Sequence, residues 1–115
     1  WCGNNENEEG WERWGWQIGL SEKNKSKLWR AYLDIFDLTL GDAVKKYTNT
    51  DYWRSSPRYG RADKRSYTEG DAHDWGVWHD ENPFETLMTG IPRFMSEFGM
   101  QSFPSMEVVG EMITE

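Results

Sequence analysis

The chain is short of the side chains that ordinarily fill a protein core: Leu, Ile, Val and Phe make up only 19 of its 115 residues. Together with a net charge of −7 this falls within the composition usually read as disorder. Eight Trp, five Tyr and five Met argue the opposite, because they carry large apolar surfaces and are spread along the whole chain. The composition therefore predicts a folded chain with an aromatic-heavy, aliphatic-poor interior. At 115 residues it is one small domain or part of a larger one.

The same charge balance narrows the partners. Nucleic acid and anionic membrane surfaces need a cationic stripe to neutralise phosphate, and this chain has 13 Lys and Arg against 20 Asp and Glu, with no such stripe. Neither nucleic acid nor membrane is expected as a partner. No apolar run approaches the length of a spanning helix, and no targeting segment is recognisable. Cys2 is the single cysteine, so it has no internal disulfide partner and the compartment stays open. It reads as a small buried filler. Beginning at Trp1, in the middle of an apolar-then-polar pattern, the chain reads as a fragment of a longer protein.

Short apolar segments running into polar or glycine-marked ends recur along the sequence. Trp1 to Glu6 reads as the end of a buried strand entering an acidic loop that also holds Trp11, Trp14 and Trp16. Leu28, Trp29, Tyr32, Leu33, Ile35, Phe36 and Leu40 recur at helical spacing and predict a helix over about 26–40, closed by Gly41, with a short second helix over 42–47. Further strands are expected at 51–54, 72–79 and 92–99, with an aperiodic surface loop at 58–70. Ser105 caps a terminal helix reaching about Met112. Strands alternating with helices or long loops predict an α/β fold of parallel βα units.

Two carboxylates stand out by position: Glu6 ends the first predicted strand and Glu97 the last, where barrels place catalytic groups. Glycosidic cleavage requires such a pair, a proton donor and an ionised partner. Aromatic platforms for sugar rings lie beside both, with Trp11, Trp14 and Trp16 near Glu6 and Phe94, Phe98 and Phe103 near Glu97. The segments Trp1-Cys2-Gly3-Asn4-Asn5-Glu6 and Phe94-Met95-Ser96-Glu97-Phe98-Gly99-Met100-Gln101-Ser102-Phe103-Pro104 resemble the two signature segments of β-mannosidases of glycoside hydrolase family 2. Between them, Gly10-Trp11, Trp14-Gly15-Trp16-Gln17, Tyr52-Trp53-Arg54-Ser55-Ser56-Pro57 and Asp74-Trp75-Gly76-Val77-Trp78-His79 are also similar to that family, so the resemblance covers nearly the whole chain.

The resemblance implies a partial (β/α)8 TIM barrel, roughly strands four to seven with the intervening helices and loops, with residues 1–115 a single segment of that catalytic domain. It implies hydrolysis of terminal β-linked mannose in the full enzyme by a retaining mechanism, with Glu6 as acid/base and Glu97 as nucleophile. Asn5 matches a position whose side chain contacts the sugar 2-hydroxyl, and a loop asparagine serving the backbone is the alternative. Trp14 matches an aromatic at the edge of the sugar subsite, or packs in the core. Trp78 and His79 close the middle strand and line the pocket, with Trp75 turned to the other face if strand alternation holds.

No cofactor is implied and no metal is expected: the spacing of His73 and His79 among Asp71, Asp74 and Asp80 fits no ligand pattern. Arg54 and Arg93 suit ion pairs that orient carboxylates. The implied partner is a β-mannoside oligosaccharide, and open barrel edges would favour self-association. β-Galactosidase or β-glucuronidase of the same family is the enzymatic alternative, disfavoured by the doubled Asn4-Asn5. A non-catalytic carbohydrate-binding module is the other alternative, and it has no need of paired glutamates.

Overall fold

The computed structural model describes residues 1–60 and 63–113; positions 61–62, within the predicted loop, lie outside it. Strand β1 (Cys2–Asn5) leads into helix α1 (Asn7–Glu12), and helix α2 (Glu22–Leu33) continues through a π-helical turn (Asp34–Thr39) into α3 (Leu40–Tyr47). Strand β2 (Trp53–Ser56), a 3-10 turn (Lys64–Tyr67), strand β3 (Ala72–Asp74) and the helical turn α4 (Gly76–His79) follow. A second 3-10 turn (Phe84–Met88), strand β4 (Met95–Phe98) and helix α5 (Met106–Met112) complete the order.

The strands form two parallel pairs. In the first, Cys2 lies opposite Trp53 and Asn5 opposite Ser56. In the second, Ala72 lies opposite Met95 and His73 opposite Glu97, so the register shifts by one and Ser96 has no opposite residue. A shift of this kind re-aims the residues that follow it. Here it puts Glu97 directly across from His73.

Local chemistry accounts for where the helices differ from expectation. The long helix starts at Glu22 rather than 26 because Ser21 caps it, its side chain accepting from the Asn24 amide. Gly41 does not close the helix: its backbone stays helical and it packs, buried, against the Tyr52 ring. The π-turn accommodates one extra residue, with the Thr39 hydroxyl donating to the Asp34 carbonyl, and the predicted pair of helices becomes one continuous rod. The acidic loop after Glu6 contains α1, entered through Glu6 itself in the left-handed conformation (φ 57°). Predicted strand 72–79 stops at Asp74, whose side chain accepts from the Gly76 amide and turns the backbone into α4. The strand expected at 92–99 contracts to Met95–Phe98.

Helices and first sheet are joined by a run of rings rather than by aliphatic packing. Trp11 stacks on Trp29 (centroids 5.8 Å apart), Trp29 on Tyr32 (4.9 Å), and Tyr32 meets Phe36 (5.0 Å). The Tyr32 hydroxyl donates to Glu8 and accepts from Asn4, and burial pushes its pKa up to about 12. Asn4 also donates to the Arg54 carbonyl and accepts from Asn7 and Ser55, so this asparagine ties β1, α1, α2 and β2 together. Arg54 pairs with Glu8 as expected of it, whereas Arg93 reaches the Gly70 carbonyl.

The aromatic-rich interior is only half realised. Among the described residues Val77 is the one buried hydrophobic side chain, while Trp1, Ile18, Met88, Ile91 and Phe103 are largely exposed. Cys2, expected to be buried, is exposed as well. The radius of gyration is 18.0 Å, against about 13 Å for a compact domain of this length. Much apolar surface in this chain therefore faces outward.

Candidate active site

A cluster of polar groups forms from residues in or just beyond the four strands. His73 is almost wholly buried, and its Nδ1 lies 2.7 Å from Glu6 Oε1 and 3.5 Å from Glu97 Oε2. One oxygen of each glutamate and one nitrogen of His73 all fall within 4.8 Å of one another. Two carboxylates that are 91 positions apart in the chain thus converge on one imidazole. Glu6 gets there because its left-handed backbone turns the chain just after β1, and Glu97 because the register shift in β4 carries it across from His73. A non-glycine residue in that left-handed region costs of the order of 1 kcal/mol, and such strain concentrates at functional sites.

Behind His73 lies a second layer of buried polar groups. His73 Nε2 is 3.1 Å from Ser56 Oγ, and Ser56 donates to Asp71 Oδ2. Asp71 also accepts from Ser96 Oγ and from the Arg58 amide, both at 2.7 Å. In front, Trp75 Nε1 donates to Glu97 Oε2 at 3.3 Å. A cavity of about 360 Å³ opens at this point, with Glu6, Glu9 and His73 on its polar side and Trp14, Trp75, Trp78, His79 and Pro57 around the rest. Trp78 stacks on His79 and meets Trp75 edge-on.

Of the residues singled out in the sequence, Glu6, Trp14, Trp78 and His79 line this cavity, and Glu97 joins through His73 and Trp75. Trp78 and His79 reach it from a helical turn rather than from a strand end. That is also why Trp75 is not segregated to an opposite face: residues i, i+3 and i+4 of a helical turn share one side. Asn5 is exposed, next to Glu6 but outside the cavity lining. His73, Ser56, Asp71 and Glu9 were not selected as site residues from the sequence. His73 and Trp75, two apart in one strand-like segment ending in polar residues, were the available signal.

A metal at this cluster would draw on Glu6, His73 and Glu97 rather than on the His and Asp set weighed in the sequence, since Asp71 and Asp74 are engaged with hydroxyls and amides. Ligands around a tetrahedral zinc with bonds near 2.1 Å stand roughly 3.4 Å apart. The 2.7 Å contact between His73 and Glu6 has the length of a direct hydrogen bond instead. What the arrangement offers is a hydrogen-bonded carboxylate–imidazole pair beside a second carboxylate, walled by indole rings. That is the equipment of acid/base and nucleophilic chemistry at a sugar.

Comparison with known proteins points the same way. No family model matches the chain. β-Mannosidase B of Emericella nidulans is 30% identical over 119 aligned positions, covering 99% of this chain and 14% of that protein. β-Mannosidase B of Aspergillus clavatus is 30% identical over 95% of the chain, and that of Aspergillus terreus 31% over 93%, matching 14% and 13% of those proteins. These relatives are glycoside hydrolases by name. The chain belongs to the β-mannosidase family and spans about one seventh of the length of the curated relatives it matches.

Proposed function

We propose that this chain supplies the catalytic carboxylate pair of a family 2 glycoside hydrolase that removes terminal β-linked mannose with retention of configuration, working as part of a longer polypeptide. The observation that carries this reading is the approach of Glu6 and Glu97, with carboxylate oxygens within 4.8 Å. Retaining enzymes hold their two carboxyl groups about 5 to 5.5 Å apart, whereas inverting ones leave about 6.5 to 9.5 Å for a water. Glu97 attacks the anomeric carbon. Glu6, beside His73 at the cavity wall, protonates the departing oxygen and then activates water. The two parallel strand pairs are strands four to seven of a (β/α)8 barrel in this reading, with each functional residue at or just beyond a strand's carboxyl end.

The indole faces of Trp14 and Trp78 offer platforms for the C–H face of a pyranose, and the substrate is a β-mannoside. Initial rates of the full-length protein on aryl β-mannoside, β-galactoside and β-glucuronide test this directly. β-Mannoside is expected to be preferred by about 100-fold or more, inside the roughly 10⁴- to 10⁵-fold that a site built to hydrogen-bond a particular hydroxyl can reach. Preference for either of the other glycosides overturns the substrate assignment.

Trp14 lines the cavity yet is 54% exposed. Trp14→Ala is therefore expected to lower kcat/KM by about 10-fold through lost ring stacking. Thermal unfolding should shift by no more than a few degrees. A large drop in melting temperature with unchanged kcat/KM would make Trp14 a packing residue instead.

A further inference from the structure

His73 is placed differently from a residue that merely fills the floor of the cavity. Both of its ring nitrogens are engaged, one by each layer of the cluster. Asp71, as a carboxylate, can only accept, and it accepts from Ser56, Ser96 and the Arg58 amide. The Ser56 hydroxyl proton is thereby committed to Asp71, and Ser56 Oγ faces His73 with a lone pair. His73 Nε2 must then carry hydrogen and donate to Ser56. This settles the tautomer from behind, leaving Nδ1 as the variable atom.

Nδ1 lies 2.7 Å from Glu6 Oε1. Two lone pairs cannot be held at that distance, so the contact contains one proton. Either it sits on Glu6 against a neutral imidazole, or on Nδ1 against a Glu6 carboxylate, and the total charge is the same in both. The charged and titratable groups facing this proton are Glu6 from the end of β1, Glu97 from β4 and Asp71 ahead of β3, with Glu9 and His79 across the cavity.

We propose that His73 is a positioning residue that keeps the acid proton loaded on the Glu6–His73 pair, with Ser56 and Asp71 fixing its tautomer. The inference rests on the acid/base role proposed for Glu6. In the glycosylation step the proton passes from the pair to the glycosidic oxygen as the C–O bond breaks and the Glu97–carbon bond forms. The pair is left as a Glu6 carboxylate facing a bare Nδ1. That arrangement is relieved in the second step by taking a proton from water as the water oxygen bonds the anomeric carbon and the Glu97–carbon bond breaks, freeing Glu97 as a carboxylate. Thus the same imidazole that loads the acid favours its return as a base.

The test uses His73→Ala and Ser56→Ala in the full-length hydrolase, with kcat/KM followed against pH for β-1,4-mannobiose and for 2,4-dinitrophenyl β-mannoside. Mannobiose needs a proton on its leaving oxygen, and dinitrophenolate does not. In His73→Ala, mannobiose kcat/KM at pH 7 is expected to fall about 10-fold or more, within the range attributed to general acid catalysis. Its basic limb should move to the acid side, and kcat/KM for the dinitrophenyl glycoside should fall by a clearly smaller factor than that for mannobiose. Ser56→Ala, nearly the same size, should shift the limb in the same direction by less, and it serves if His73→Ala fails to fold. Equal losses on both substrates, or an unmoved basic limb in a folded Ser56→Ala, overturn the role of His73 while leaving the mannosidase reading intact. A wild-type protein that cleaves neither substrate overturns both.

Discussion

Glu97→Ala in the full-length protein should lose hydrolysis of aryl β-mannoside by about 10⁴-fold or more, the scale seen when a covalent nucleophile is removed. Glu6→Ala should lose about 10² to 10⁴-fold on substrates with poor leaving groups and far less on activated ones. The two variants part company when azide is added. In Glu6→Ala an activated substrate still forms the covalent mannosyl-enzyme on Glu97, and azide, which needs no base, attacks it from the opposite face to give β-mannosyl azide. In Glu97→Ala the emptied space lets azide attack the substrate itself, while Glu6 still protonates the leaving group, and the product is α-mannosyl azide. The proposed assignment is supported by the placement of the two groups: Glu6 lies 2.7 Å from His73 Nδ1, while Glu97 stands farther from that nitrogen and accepts from the Trp75 indole. Exchange of the two product configurations would exchange the two roles.

The 115-residue chain alone is expected to show no turnover, and an apparent mass in size exclusion above its 13.6 kDa. Each strand pair offers unpaired backbone along both edges, and parallel sheets are ordinarily covered on both faces. Side chains such as Ile18, Met88 and Ile91, each more than two-thirds exposed, leave apolar area that costs about 25 cal/mol per Å² to keep in water. A (β/α)8 domain needs about 250 residues. The sugar-binding loops of its other strands would therefore be missing even where this segment folds. For the chain alone the ways out are partial disorder or association of copies through the open edges, and association is the expected one. A compact monomer that hydrolyses β-mannoside would overturn both the barrel proposal and the dependence on a longer polypeptide.

Much of the candidate site is legible in the sequence. Glu6 and Glu97 announced themselves by standing at the ends of apolar segments and within two signature stretches, and the local signals of Ser105 and the 28–40 periodicity placed helices to within a few residues. Gly41 was misread because glycine commonly closes helices, yet it takes that role only in the left-handed conformation, and here packing against Tyr52 keeps it helical. The opposite-face alternative for Trp75 fell because Asp74 ends the strand one residue earlier and the backbone turns helical there.

Residue types, their order and their local spacing are properties of the chain as written, and together with the family resemblance they were enough to mark Glu6, Glu97 and the tryptophans as candidates. The approach of Glu6 to Glu97, the contacts of His73 with both and the placement of Ser56 and Asp71 behind it were beyond the reach of local spacing. They arise from contacts between residues 15 to 91 positions apart, set by the parallel register of β3 with β4 and by the left-handed turn at Glu6. Sequence periodicity reports which face a residue takes on its own element. Which atoms meet across elements depends on register and backbone reversals, where a shift of one residue redirects every side chain that follows.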